Sequence, residues 1–244
     1  MDIKVYHSSS ASNLYSVDDL LLEAGAPIRK IKEALNFRLT DIRACLVSHS
    51  HLDHGRSAMD LMRSGVEVYC SEGTSEALGL SGHRLHILEP LQQVQIGPWK
   101  VLPFPLAHDC EGTMGFFLVK EDERLLFAVD GNYVPYTARA IVDIMHDVDK
   151  SIVLTNIMLG VNYSLDILRE NVRAGRIVPA LANRILKNHL SLNTALDFFR
   201  ANDLSQVQEI FLLHLSNANS DGADFKRQVE MVTGRPVTIC ARLG

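Results

Sequence analysis

Hydrophobic and polar positions change rhythm along this chain, and the rhythm predicts the elements. Ile3 to Tyr6, Asn13 to Val17 and Leu20 to Glu23 have strand character, broken by Ser8-Ser9-Ser10-Ala11-Ser12 and by Gly25. Runs punctuated in this way predict a meander. Pro27 then stands near the first position of a helix whose apolar face is Ile28, Ile31 and Leu35. Cys45-Leu46-Val47 reads as the apolar end of a buried strand, and Ala58, Leu61 and Met62 follow at helical spacing. Val66 to Cys70 predicts a strand and Ser71 to Leu78 a short helix. Trp99 to Pro105, Met114 to Lys120 and Arg124 to Val129 predict consecutive strands, the last two split by the turn-like Glu121-Asp122-Glu123.

The second half alternates. Ser151 to Thr155 predicts an apolar strand, leading into helices over Ser164 to Ala174, Val178 to Leu186 and Leu192 to Ala201. Val207 to Leu213 is strand-like, Phe225, Val229 and Val232 mark a helix, and Pro236 to Ala241 suits a last strand. Strands first, then mixed strand and helix, twice over, predict two sheets packed together with helices outside. No low-complexity linker, charge block or sequence repeat divides the chain, so residues 1–244 are expected to form one domain.

Composition narrows this picture only a little. A formal charge of -5 argues against global attraction to nucleic acid or anionic membrane, so any polyanion site must be local. Cys45, Cys70, Cys110 and Cys240 form no CxxC pair, which fits reduced thiols better than a disulfide framework. The Met1-Asp2-Ile3-Lys4-Val5 start lacks the layout of a signal peptide. No run approaches the roughly 20 apolar residues that cross a bilayer. A cytoplasmic protein with no membrane partner is expected, and a homodimer is compatible with the sequence.

The chemistry concentrates in His49-Ser50-His51-Leu52-Asp53-His54. Three imidazoles and a carboxylate fall together in a chain where His is only 10 of 244 residues. They lie on a strand-to-helix loop, where a rigid scaffold aims several side chains at one point. Neutral imidazoles and an ionised carboxylate are the donors that zinc and its first-row neighbours prefer. The plainer alternative is a histidine tract that scavenges metal without function. Further candidates close apolar strands: His108 beyond Trp99 to Pro105, Asp130 after Leu126-Phe127-Ala128-Val129, and His214 after Ile210-Phe211-Leu212-Leu213. Polar residues at such places build sites at sheet edges.

On these residues the chain resembles the metallo-β-lactamase superfamily, whose metal loop reads HxHxDH and whose later ligands follow in the order His, Asp, His. The resemblance covers nearly the whole chain and implies a four-layer αβ/βα sandwich of two mixed sheets, an α/β fold with metals at one edge. It further implies that His49, His51 and His108 hold one divalent ion. Asp53, His54 and His214 would hold a second, and Asp130 would bridge both; zinc is the first candidate and manganese the next. Within the superfamily, Asn188-His189-Leu190-Ser191 before Thr194-Ala195-Leu196, and His214-Leu215-Ser216-Asn217-Ala218-Asn219, resemble the nucleic-acid-cutting members. The small YycJ (WalJ) type of exonuclease is nearest, and ribonuclease Z is more distant. The opening Ser8-Ser9-Ser10-Ala11-Ser12-Asn13 is similar to their Ser-rich first turn. The acidic Glu-Ser-Asn-Tyr-Asp segment usual in the YycJ type stands here as Gly160-Val161-Asn162-Tyr163-Ser164, without its carboxylates. The short span from Asp130 to His189 leaves no room for the added domain of larger RNA-processing relatives.

Two divalent ions can share a hydroxide formed at neutral pH and clamp the attacking and leaving oxygens of a phosphodiester. That chemistry lacks an acid for the leaving oxygen, a role in which the resemblance casts His189 and for which imidazole is suited. Asp53 is a second catalytic candidate. Ser191, Arg184 and Lys187 are candidate substrate contacts, in a locally basic stretch where Arg169, Arg173 and Arg176 suggest a phosphate track. No aromatic-rich stacking platform accompanies it, which argues against sequence-specific readout. A binuclear phosphodiesterase acting on nucleic acid, a nuclease in class, is thus expected. Its alternatives are a hydrolase of small esters, thioesters, lactones or cyclic phosphodiesters, and a metal-bound binding module. Cys110 is expected not to be a ligand, because the oxygen and nitrogen set is complete without it.

Overall fold

A computed structural model describes residues 1–240. The Ser-rich turn closes an antiparallel meander of β1 (Ile3–Ser9), β2 (Ser12–Val17) and β3 (Leu20–Leu22). Parallel strands β4 (Ala44–Leu46), β5 (Glu67–Cys70) and β6 (Leu85–Ile87) extend the same sheet. Parallel neighbours need crossovers. These carry α1 (Ile28–Ala34), α2 (Leu52–Gly55), α3 (Ala58–Arg63) and α4 (Glu72–Ala77).

The second sheet starts antiparallel, with β7 (Val94–Ile96), β8 (Trp99–Pro105), β9 (Met114–Lys120) and β10 (Glu123–Ala128). It ends parallel, with β11 (Asn156–Gly160), β12 (Glu209–Leu213) and β13 (Val237–Ile239). Its helices are α5 (Ala138–Ile144), α6 (Leu165–Arg173), α7 (Pro179–Asn188), α8 (Leu192–Arg200) and α9 (Gly222–Thr233).

Side-chain alternation shows why four layers form. Leu20 and Leu22 pack between the sheets with Trp99, Phe116 and Phe127, whereas Leu21 between them packs outward with Ile31 and Leu61. β10 repeats this: Leu125 and Phe127 face the other sheet, while Leu126 and Ala128 meet Ile141, Phe199 and Phe225 on the helical side. Strands buried on both faces lose the polar alternation of a solvated sheet, hence their continuous apolar runs. Burying each such Leu or Phe contributes about 1.5–3 kcal/mol over leaving it exposed. The expected αβ/βα sandwich is the fold. A smaller apolar cluster of Tyr163, Leu168, Ile177 and Ala182 joins α6 to α7.

Three expectations need correction. The strand expected over Ser151 to Thr155 lies at Asn156–Gly160 instead. Thr155 is used earlier, its N–H and hydroxyl both donating to Arg124 O at 2.9 Å, and β11 begins beyond it. Asn and Gly at the ends of β11 disguise it, being depleted in strands. The sequence pattern also passes over β6, β7 and α5. The first two are three-residue edge strands, and α5 is capped by Thr137, whose side chain accepts from Ala140 N–H. The last strand is shorter than Pro236 to Ala241, and Ala241 lies outside the described residues.

Candidate metal centre

β4 ends at Leu46, and the next residues turn His49 inward before His51 takes the N-cap position of α2. Asp53 and His54 then fall in the first turn of α2, so four donors share one backbone segment. The loop sits tightly on Gly25, where a Cβ would lie 1.7 Å from Asp53 O. Only glycine permits that approach. The second sheet delivers its donors separately. His108 follows β8, Asp130 follows β10 by two residues, and His214 directly follows β12 with φ of 55°. Left-handed backbone is uncommon for a non-glycine residue. Here Ser8 Oγ accepts from His214 N–H at 2.9 Å, and Asn162 Nδ2 donates to His214 O at 2.9 Å, which holds it.

Four ligand groupings result among the described residues; two consist of the expected ligands alone, one joins Asp130 and His214 to His189, and one joins His51 to Asp109 and Cys110. His49, His51, His108 and Asp130 each bring one ligand atom within 4.8 Å of the others, and so do Asp53, His54 and His214. In the first, His51 Nδ1 lies 3.0 Å from His49 Nε2 and 3.3 Å from His108 Nε2. In the second, His54 Nε2 and His214 Nε2 stand 3.3 Å and 3.6 Å from Asp53 Oδ2. Asp130 is common ground: Oδ2 is 3.7 Å from His49 Nε2, 3.3 Å from His54 Nε2 and 3.9 Å from His108 Nε2. Burial acts to raise the Asp130 pKa, but the His214 charge and hydrogen bonds from His189 and His54 hold it well below the ordinary range. Burial acts to raise Asp53 too, but the neighbouring His214 and His54 imidazoles outweigh it and hold the carboxyl well below the ordinary range. Burial, reinforced by the neighbouring His54, pushes His49 well down; burial also lowers His108. His54 moves the other way, because Asp130, Asp53 and Glu23 together overcome its burial.

The donor set fits a divalent metal. His214 Nε2 is buried and has no hydrogen-bond partner. Several rings have their other nitrogen engaged, as metal-binding imidazoles usually do. His108 Nδ1 lies 2.9 Å from Asn188 O and His49 Nδ1 2.8 Å from Ser48 Oγ, whereas His54 Nδ1 makes no hydrogen bond and stands 3.5 Å from the Glu23 carboxylate. Imidazole nitrogens and carboxylate oxygens thus converge on one place, and these are the donor types that zinc-like ions take.

Sequence reasoning passed over several of these supports. Glu23 is fully buried at the end of β3 and accepts from Ser48 N–H at 3.3 Å. Asn13 Nδ2 lies 3.0 Å from His54 Nε2 and donates to Asp53 O at 3.2 Å. Asp109 stands 3.3 Å from His51 Nε2 and 3.2 Å from His108 Nε2. Glu23 could have been marked only by its place after a strand and Asp109 only by its place beside His108, while Asn13, on β2, reads from the sequence only as the end of the Ser-rich turn.

A cavity of about 500 Å³ opens above the cluster, lined on one side by His51, Asp53, His108, Asp130 and His214. Leu52 of α2 lines it as well, with Leu181, Arg184 and Ile185 from α7 and the α7 cap His189. His189 caps the C-terminus of α7, and its Nδ1 lies 3.2 Å from Asp130 Oδ1. Arg184 reaches the cavity, yet its Nε donates to Asp109 Oδ2 at 3.1 Å. Ser191 is not brought there. It is buried, and its Oγ accepts from Thr194 N–H at 3.1 Å to cap α8. Lys187 is not among the lining residues either. The expected phosphate track does not form on one face, because Arg176 lies beyond α6 and donates to Asn171 Oδ1 at 2.7 Å. Arg169 and Arg173 line a separate groove with Leu168, Val172 and Leu186.

Residues 19–160 match the family described as the β-lactamase superfamily domain, a segment that includes Asp130 and every donor before it. The chain belongs to the β-lactamase superfamily. Exodeoxyribonuclease WalJ of Streptococcus pneumoniae is 27% identical over 228 residues, covering 87% of this chain and 80% of the relative. Among solved structures, the metallo-β-lactamase fold protein YhfI of Bacillus subtilis has a TM-score of 0.70 at 15% identity, covering 99% of this chain and 96% of its own. Zinc-bound PqqB of Methylobacterium extorquens has a TM-score of 0.66 at 14% identity, with 99% and 98% covered. Those two likenesses concern the fold. Among the described residues no helix is long and apolar enough to cross a membrane.

Proposed function

We propose that this superfamily member is a metal-dependent phosphodiesterase that cuts nucleic acid as a nuclease. Its site would hold two divalent ions, zinc before manganese. The observation that carries the reading is the placement of His189 on Asp130, a carboxylate that belongs to one donor group and stands 3.3 Å from His54 Nε2 of the other. The similarity to a curated exodeoxyribonuclease supports the same substrate class. His49, His51 and His108 would hold one ion and Asp53, His54 and His214 the other, with Asp130 between them. When bound, the ions supply Lewis-acid activation of water and neutralise charge on the phosphate.

The chain's own groups do the rest. Asp130 Oδ1 holds the His189 ring by Nδ1, so the ring faces the cavity and can deliver a proton to the leaving oxygen. Asp53 stays ionised and lines the cavity, so besides holding an ion it could accept a hydrogen bond from the attacking water. Leu181 and Ile185 of α7 give the cavity an apolar wall. That wall favours a second reading, a hydrolase of small esters, thioesters, lactones or cyclic phosphodiesters, since about 500 Å³ lies within the usual small-molecule range.

Activity on single- and double-stranded DNA, RNA, bis-p-nitrophenyl phosphate, a lactone and a thioester separates the two. His189→Ala sharpens the result. It should keep its metal while cleavage of a natural phosphodiester slows by roughly 10²–10⁴-fold. The p-nitrophenolate group leaves without protonation, so the activated diester should lose much less. Equal loss on both substrates removes His189 as the acid. Activity confined to the lactone or thioester replaces the nuclease reading with the small-ester one.

A further inference from the structure

We infer that Asp109 is a positioning residue that aims His51 at the metal centre and ties α7 to it. The inference rests on the metal-binding part of the reading above and is independent of the substrate.

The two oxygens of Asp109 face different ways. Oδ2 accepts from Arg184 Nε at 3.1 Å and from Asn188 Nδ2 at 2.8 Å, both on α7. Oδ1 stands 3.3 Å from His51 Nε2 and 3.2 Å from His108 Nε2. Only one of those imidazoles can give it a proton. Asn188 O accepts and never donates, so His108 carries its hydrogen on Nδ1 and presents a lone pair at Nε2. His51 is arranged oppositely. Its Nδ1 points to His49 Nε2 and His108 Nε2 within the donor group, which leaves Nε2–H for Asp109. A carboxylate on the far nitrogen fixes the tautomer and ring orientation of a metal-binding histidine.

The same carboxylate gathers the end of α7. Asn188 is held twice, by its side chain on Asp109 and by its carbonyl on His108. The next residue, His189, rests on Asp130. Asp109 therefore links His51 with the helix end that seats His108 and His189. Arg184 follows as part of this clamp: its guanidinium is shared with Asp109 from both Nε and Nη2, each at 3.1 Å.

Zinc affinity by chelator competition, with a long-range ¹H–¹⁵N spectrum of the zinc-loaded histidines, tests the assignment. Asp109→Ala should bind zinc about 10–100-fold more weakly and lose the slowly exchanging His51 Nε2–H signal. Asp109→Asn keeps an acceptor oxygen for His51 and should stay near wild type in both respects. Its amide cannot satisfy the donors of α7, so hydrogen exchange over 179–188 should quicken. Arg184→Gln should quicken the same exchange while zinc affinity holds. Wild-type affinity in Asp109→Ala overturns the assignment, as does a retained Nε2–H signal. An equal zinc loss in Asp109→Asn overturns it too, and that variant decides the question if Asp109→Ala does not fold. A wild-type chain that binds no zinc overturns the metal reading itself.

Discussion

The two halves of the molecule follow one plan and furnish the site in opposite ways. β1 to β6 and β8 to β13 pass through the same pairings, two antiparallel and then three parallel. β7 is an added edge strand on the second sheet. Matching places carry related groups. Glu23 follows β3 and Asp130 follows β10, and their carboxylates stand on opposite nitrogens of His54, at 3.5 Å from Nδ1 and 3.3 Å from Nε2. After β4 comes the loop with four donors; after β11 comes Asn162, which holds the His214 backbone. After β5 comes Ser71, a helix cap, whereas after β12 comes His214. The first half fixes its donors by local backbone geometry. The second fixes them by sheet register, since each arrives on a different strand.

The strongest test of that contrast sets Asp130 against Glu23. They occupy matching positions, but only Asp130 faces both donor groups. Asp130→Ala should therefore lower zinc affinity by more than the about 10–100-fold typical of an outer partner, with both sites affected. Glu23→Gln should fall within that range, because Glu23 reaches the centre only through His54. Metal content and titration calorimetry on the two variants decide it. If Glu23→Gln costs as much as Asp130→Ala, or Asp130→Ala keeps both metals, the ranking of the two carboxylates fails.

The glycines supply a smaller test. A Cβ at Gly25 would lie 1.7 Å from Asp53 O, and one at Gly160 would lie 1.7 Å from Val129 O, beside Asp130. Overpacking of this kind costs about 1–3 kcal/mol, so each alanine variant should melt roughly 2–12 °C lower for a chain of this size. The halves should then diverge. Gly25→Ala displaces the loop bearing Asp53 and His54 together and should loosen their zinc, while Gly160→Ala disturbs the strand end that leads to Asp130. Melting curves and zinc stoichiometry check this, and two unchanged Tm values would show that neither close approach is needed.

This contrast also explains what could be read before the structure. His49, His51, Asp53 and His54 are adjacent in sequence, so their convergence needs no knowledge of topology. His108, Asp130 and His214 are legible only as polar residues closing apolar runs, and the sheet order that joins them comes from long-range pairing. Glu23 closes the Leu20 to Glu23 run in the same way, but an isolated Glu at a strand end has no pattern that separates it from a solvated one. Asp109 hides beside His108, because its partners Arg184 and Asn188 lie on α7. Ser191 shows the converse: the motif position suggested substrate contact, while the local need for a helix cap took its hydroxyl.

The mildest effect concerns the cysteines, where the two halves again differ. Cys45 and Cys70 lie buried on neighbouring strands of the first sheet, and Cys240 is buried just past β13. Burial pushes the Cys70 and Cys240 thiols up to about 12, and Cys45 higher than an ordinary thiol as well. The reactive thiolate is thus scarce at all three near neutral pH, and access is closed too. Cys110 is half-buried in the β8–β9 loop, with a ligand atom within 4.8 Å of His51 and Asp109. A thiol reagent at about pH 8 should modify Cys110 alone in the folded chain, since reactivity needs both thiolate and exposure. Cys110→Ser should keep its zinc, because the first donor group is complete in His49, His51, His108 and Asp130. If zinc shields Cys110 from the reagent and the serine variant loses metal, the sulfur belongs to the donor set. The β8–β9 loop would then contribute two donors, and the second half would no longer supply one per strand end.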